Sequence, residues 1–160
     1  MVRLLQLEGP IVRRSVASDS PSRTRKIGRR LGELIPAGTV ISLGGGLGAG
    51  KTLMAKGICA GLGVDEEVVS PSFILVEEYR GVFPVLHFDL YRLDELGEVE
   101  DVGLFEAIDG RNVVLVEWGD RLPAGTIRYD VRVHLVIRDA AEREIRLEAP
   151  ARLIDAVLGA

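Results

Sequence analysis

The chain has 160 residues, a formal charge of −4, 47% hydrophobic and 28% charged residues, and a single cysteine, Cys59. This length fits one domain, 1–160, with a core of its own, and the composition is that of a water-soluble globular protein. One cysteine excludes an intrachain disulfide, no apolar run has bilayer length, and Met1 to Pro10 is too short and too broken by Arg3, Gln6 and Glu8 to be a signal peptide, so a cytoplasmic protein without a membrane partner is expected.

Ile11 to Ala17 reads as a first strand. Ser18-Asp19-Ser20-Pro21 reads as a helix start, with a capping hydroxyl and a proline in the first turn. Ile27, Leu31 and Leu34 lay an apolar stripe along that helix. Its basic residues Arg23, Arg25, Lys26, Arg29 and Arg30 read as the solvated side, since a nucleic-acid binder would usually carry a net basic face. Pro36-Ala37-Gly38 ends the helix. Thr39 to Leu43 is short, apolar and β-branched, which predicts a buried strand. Gly44 to Gly50 is a glycine loop. Lys51 to Leu62 is a helix with Leu53, Met54, Ile58, Cys59 and Leu62 apolar and Gly63 as its stop.

Two strands are expected next, Phe73 to Tyr79 and Val85 to Leu90. The short link Arg80 to Pro84 makes them an antiparallel hairpin. Asp94 to Ile108 reads as one helix that offers Leu96, Val99, Leu104 and Phe105 to the core. Asn112 to Glu117 is a buried strand ending in an acid, and Arg121 to Thr126 is a loop. Val131, Val133, Leu135 and Ile137 alternate with polar residues, as do Ile145 and Leu147, so two strands with one wet face meet at a tight turn near Asp139 to Glu142. Ala151 to Leu158 closes the chain as a short helix. The fold class that follows is α/β, three-layered, with a mixed parallel and antiparallel sheet.

Gly45-Gly46-Leu47-Gly48-Ala49-Gly50-Lys51-Thr52 fits G-x-x-x-x-G-K-[ST], the phosphate loop of P-loop NTPases. With 19 Gly and only 3 Lys in the chain, a shuffled sequence would match about three times in a thousand. A loop with little side-chain bulk lets backbone N–H groups wrap a polyphosphate, and the following helix presents its positive end to the anion. Lys51 adds a point charge for the outer phosphates, and the Thr52 hydroxyl is a ligand for Mg²⁺. The guanine-reading N/T-K-x-D pattern is missing: Asn112, the one asparagine, is followed by Val113. ATP or ADP is therefore the expected nucleotide.

Such a site also needs a carboxylate at a strand end for the Mg²⁺ shell. Asp89 in His87-Phe88-Asp89-Leu90-Tyr91-Arg92 and Glu117 in Val113-Val114-Leu115-Val116-Glu117-Trp118 both qualify, and spacing does not choose between them. His87 reads as a satisfied strand residue. Tyr91 and Arg92 read as strand caps or partners of Glu98.

The run Leu47 to Thr52, then Ser70-Pro71-Ser72-Phe73, then His87 to Arg92, then Val116-Glu117-Trp118 resembles the TsaE (YjeE) family of small P-loop ATPases in the synthesis of threonylcarbamoyladenosine in tRNA. The likeness covers roughly Asp19 to Arg121. It implies that the nucleotide is bound by Gly45, Gly46, Leu47, Gly48, Ala49, Gly50, Lys51, Thr52 and Leu53, with Trp118 close by and Thr24 and Gly28 beside the nucleoside. It implies that Thr52 and Glu117 hold Mg²⁺, that Lys51, Asp89, Glu117 and Ser72 carry the chemistry, and that Ser70-Pro71-Ser72 acts as a switch. It further implies the proteins TsaD and TsaB as partners, with tRNA met only through that complex. Gly46 stands where the family usually has Asp, Ser72 where it has Thr, and Leu53 where a second Thr is common. Two other readings stay open: a small-molecule kinase with Arg121 and Arg128 on a lid, and a nucleotide-gated binding module with negligible hydrolysis.

Overall fold

The computed structural model describes residues 6–72 and 74–159. In chain order the strands are β1 (Ile11–Ser18), β2 (Val40–Gly45), β3 (Val76–Arg80), β4 (Pro84–Asp89), β5 (Val113–Glu117), β6 (Val131–Ile137) and β7 (Arg143–Pro150). The helices are α1 (Pro21–Leu34), α2 (Lys51–Gly61), α3 (Leu96–Asp101), α4 (Leu104–Ala107) and α5 (Ala151–Leu158). One seven-stranded sheet runs β1-β7-β6-β2-β5-β4-β3. β2 lies between two parallel neighbours, β5 and β6, and β4 continues parallel beside β5. The β3–β4 and β6–β7 hairpins and the β1–β7 pair are antiparallel. The sheet is therefore mixed, as the pattern of the sequence implies.

Alternation along the strands divides the core. Ile41 and Leu43 of β2 and Val113 and Leu115 of β5 face a cluster built with Ile27 and Leu31 of α1, Met54 and Ile58 of α2 and Leu153 and Ile154 of α5. Val40, Val114 and Val116 point the other way, to Val99 of α3 and Leu104 and Ala107 of α4. Strands buried on both faces read as unbroken apolar runs, which is why β2 and β5 are so plain in the sequence. On β6, Val131, Val133 and Leu135 are buried while Arg132 is exposed.

The first helix starts as its sequence dictates: Ser20 Oγ accepts from the Arg23 N–H at 3.1 Å, and Pro21 follows in the first turn. Its Gly28 and Gly32 meet Gly57 and Gly61 of α2. A Cβ on Gly32 would lie 2.1 Å from the Ile58 carbonyl oxygen, and one on Gly61 would lie 2.1 Å from that of Arg29. The two backbones are thus in near contact, and only hydrogen atoms fit between them.

Three expectations need correction. The strand expected from Phe73 begins at Val76: Leu75 sits at φ 71° and its N–H donates to the Pro71 carbonyl, a turn that delays the strand. Phe73 itself lies outside the described residues. The single helix expected over Asp94 to Ile108 is two short helices, α3 and α4, broken at Gly103 with φ 81°. The buried residues Val99 and Leu104 are five apart, off the three-or-four spacing of one helical face, and the break re-aims the second of them. Leu96, expected in the core, is 45% exposed. Among the described residues no helix is long and apolar enough to cross a membrane.

Cys59 is fully buried on α2, and burial pushes its thiol up to about 12. The thiolate is the reactive form. A disulfide reagent at pH 8 is expected to leave Cys59 untouched in the folded protein and to label it fully in denaturant. Rapid labelling of the native protein, read by absorbance, would contradict this burial.

Candidate functional site

The carboxyl ends of β2, β4 and β5 converge because the three strands are parallel. In open α/β sheets this edge is where ligands are held. β2 delivers the glycine loop, β4 delivers Asp89 and β5 delivers Glu117. The two acids are direct neighbours in the strand register. Gly45, at φ 129°, passes so close to β6 that a Cβ would meet the Leu135 carbonyl oxygen at 2.5 Å. The loop then rises to Gly50, the residue that caps α2 at φ 108°.

Lys51, only 6% exposed, folds back along the loop. Its Nζ donates to the carbonyls of Gly45 at 2.8 Å and Gly46 at 2.7 Å. An ammonium has three donors, so one remains for an anion in the cleft. Desolvation pulls the Lys51 ammonium below its ordinary range, opposed by the charges of Glu117, Asp120 and Asp89. The indole of Trp118 lies under it, 3.9 Å from Nζ to the ring centroid. Trp118 takes the left-handed conformation, φ 62°, which a bulky residue seldom adopts. That turn, anchored by its N–H on the Leu43 carbonyl at 2.9 Å, brings the ring over Lys51 and against Tyr91, with centroids 4.9 Å apart.

The hydroxyl of Thr52 donates to Glu117 Oε1 at 3.1 Å. Asp89 Oδ2 accepts from Ser70 at 3.2 Å and from Ser72 at 3.0 Å, and its Oδ1 accepts from the Tyr91 N–H at 2.9 Å. Gly48, Gly50, Lys51, Thr52, Leu53, Ser70, Ser72, Asp89, Tyr91, Glu117 and Trp118 enclose a cleft of about 260 Å³. Thr52 and Glu117 supply hard oxygen atoms side by side, the donor set suited to Mg²⁺.

Several other expected site residues present no side chain to the cleft wall. Thr24 is buried 2.7 Å from the Ser18 hydroxyl and is not in the cleft wall, and Gly28 serves the α1–α2 crossing. Leu47 is 68% exposed at the loop tip, and Ala49 is buried beneath it. Glu98, a possible partner for Tyr91 or Arg92, uses its carboxylate to cap α3, accepting from the N–H groups of Asp94 and Glu95. Two residues escaped the sequence reading. Arg143 of β7 donates to the carbonyls of Gly48 and Ala49, both at 3.2 Å, and so braces the loop. His87 is not a satisfied strand residue: Nε2 is 2.9 Å from Glu117 Oε1, and Nδ1 has no hydrogen-bond partner among the described residues. Strand parity was the available signal for His87, which shares the face of Asp89.

A family model described as threonylcarbamoyl adenosine biosynthesis protein TsaE matches residues 18–145. The chain belongs to the TsaE family. Among its curated relatives is the tRNA threonylcarbamoyladenosine biosynthesis protein TsaE of Treponema pallidum, 38% identical over 128 residues that make up 80% of this chain and 95% of the relative. The Bacillus subtilis protein of the same name is 39% identical over 137 residues, 81% of this chain and 82% of that one. Among solved structures, the crystal structure of Bacillus subtilis YdiB aligns with a TM-score of 0.70 at 30% identity, covering 94% of this chain and 97% of the other. Against the TsaE pattern, Gly46 is not forced by crowding. It is exposed, and a Cβ there would meet nothing within 4 Å.

Proposed function

We propose that this protein is the ATP-hydrolysing component of tRNA threonylcarbamoyladenosine synthesis, acting with TsaD and TsaB. The observation that carries the reading is the meeting of Lys51, Thr52, Asp89 and Glu117 in one cleft behind a phosphate loop. Family membership supplies the biosynthetic context.

Loop N–H groups and the amino end of α2 bind the polyphosphate, and Lys51 neutralises its outer oxygens. Thr52 and Glu117 hold Mg²⁺, which when bound offsets charge on the phosphates. Asp89, fixed by Ser70, Ser72 and the Tyr91 N–H, accepts a hydrogen bond from the attacking water and orients it. Ser70 and Ser72 form the switch: their hydroxyls share one network with Asp89 and with each other at 2.8 Å, so a hydroxyl that turns to a phosphate must give up a bond within it. The Trp118 ring keeps water from one side of the Lys51 ammonium.

The test compares the wild type with Lys51→Ala. Loss of one charge-assisted contact of about 1.5–3 kcal/mol is expected to weaken ATP binding about 10–100-fold, and phosphate release should fall to the blank. Unchanged affinity by calorimetry would remove the nucleotide-site assignment. Retained affinity loss with no phosphate release from the wild type, even with TsaD and TsaB, would reduce the protein to a binding module.

A further inference from the structure

His87 is the group beside the cleft that phosphate-loop chemistry leaves unexplained. It is fully buried on β4, two residues before Asp89 and paired in register with Leu115. A carboxylate can only accept, so the 2.9 Å contact requires Nε2 to carry the proton and donate to Glu117 Oε1. The opposite nitrogen then has no partner among the described residues. A buried polar atom left this way carries a penalty that valine or leucine at the same position would avoid. Its neighbours on the same face of β4 and β5 toward the strand starts are such residues: Val85, Val113 and Leu115 are all fully buried. An imidazole here weakens the core, so what it contributes must lie at the other end of its hydrogen bond.

That end is Glu117. Its Oε1 takes two donors, Thr52 at 3.1 Å and His87 at 2.9 Å, from opposite elements, α2 and β4. Two donors on one oxygen stop the carboxylate from rotating about its terminal bond. Oε2, which has only the longer 3.5 Å approach of Thr52, is left for a cation. Without His87, Glu117 would keep a single donor from a residue that is itself a metal ligand on the proposed reading.

We propose that His87 is the positioning residue of the metal site, holding Glu117 in the orientation in which Glu117 and Thr52 together take Mg²⁺. The inference rests on the assignment of those two residues to Mg²⁺. Outer partners of ligating groups commonly carry about 10–100-fold in metal affinity.

The experiment is ADP binding by calorimetry over a series of Mg²⁺ concentrations and in EDTA, on the whole protein. His87→Leu is expected to bind ADP in EDTA like the wild type, which also shows that it folds. It should need about 10–100-fold more Mg²⁺ to reach the same gain in ADP affinity. His87→Gln, whose side-chain N–H reaches the same oxygen, should recover most of that loss. In a Glu117→Gln background His87→Leu should add no further loss, since the effect passes through Glu117. If His87→Leu does not fold, His87→Gln is compared with His87→Asn, whose shorter amide falls short of Glu117. A His87→Leu protein that responds to Mg²⁺ as the wild type does overturns the inference alone, as do additive losses in the double variant or no difference between Gln and Asn. A wild type whose ADP affinity ignores Mg²⁺ overturns the metal-site assignment, and this inference with it.

Discussion

A TsaB–TsaD complex is expected to raise the rate of phosphate release from ATP by this protein by up to about 10³–10⁵, the range that a supplied charge or an ordered switch gives P-loop enzymes. Among the described residues that enclose the cleft there is one cation, Lys51, and no arginine. The arginines near it have other attachments. Arg121 donates to the Tyr91 carbonyl and lies 3.7 Å from Asp94, and Arg143 is committed to the glycine loop. On the proposed reading, charge that builds on the departing phosphate is therefore met by Lys51 and Mg²⁺, with no guanidinium beside them. The Ser70 and Ser72 hydroxyls line the cleft too, but they are engaged with Asp89 and with each other. A partner that displaces them, or that inserts a guanidinium, would complete the site. The measurement is steady-state phosphate release with and without the two partners, with Lys51→Ala as the blank. Equal rates would remove the partner-activated reading, and release that needs a small-molecule acceptor would point to a kinase.

Gly32→Ala is expected to be strongly destabilising for a change of one methyl group. The new carbon would stand 2.1 Å from the Ile58 carbonyl oxygen, with the α2 backbone rather than a movable side chain behind it. The helices must separate, and overpacking of this kind costs about 1–3 kcal/mol. For a chain of this size that lowers the melting temperature by about 3–10 °C. Gly46→Ala is the control, since the space around Gly46 is open. It should shift stability by no more than about 0.5 kcal/mol. Thermal unfolding followed by circular dichroism separates the two, and coincident melts would show that the α1–α2 crossing yields without strain.

Much of this architecture was legible because the residues that form it also announce it. β2 and β5 are buried on both faces, so they appear as apolar runs, and Ser20-Pro21 marks a helix start through a hydroxyl and a ring. Lys51, Thr52, Asp89 and Glu117 stood out because each ends or follows a strand in a recognisable phrase, and they meet in one cleft. What stayed hidden depends on distance in the chain. The β1–β7 pairing joins residues more than a hundred positions apart, and no local pattern encodes it. Arg143 reaches the loop from 94 and 95 residues away. The break at Gly103 is hidden because the segment has no proline and offers Leu96, Val99, Leu104 and Phe105 as apolar residues, although the five-residue step from Val99 to Leu104 does not fit one helical face; tertiary packing buries Val99 and Leu104 and leaves Leu96 45% exposed. His87 was misjudged for a related reason. Histidine in a strand is compatible with many surroundings, and only the three-dimensional neighbour, Glu117, gives it a task.

Arg143 ties the fate of the glycine loop to the last third of the chain. Its guanidinium spans the carbonyls of Asp139 and Glu142 in its own hairpin turn and those of Gly48 and Ala49 in the loop. β6 in the same hairpin closes the open side of β2. A fragment ending at Asp130 would retain all the motif residues from Gly45 to Trp118. It would nonetheless present β2 as a bare edge, ready to pair with another chain, and a glycine loop with nothing behind it. The smallest unit able to hold the glycine loop in place is therefore set by the hairpin rather than by the motifs, and fusions or tags are better joined beyond α5 than within the Asp139 to Glu142 turn.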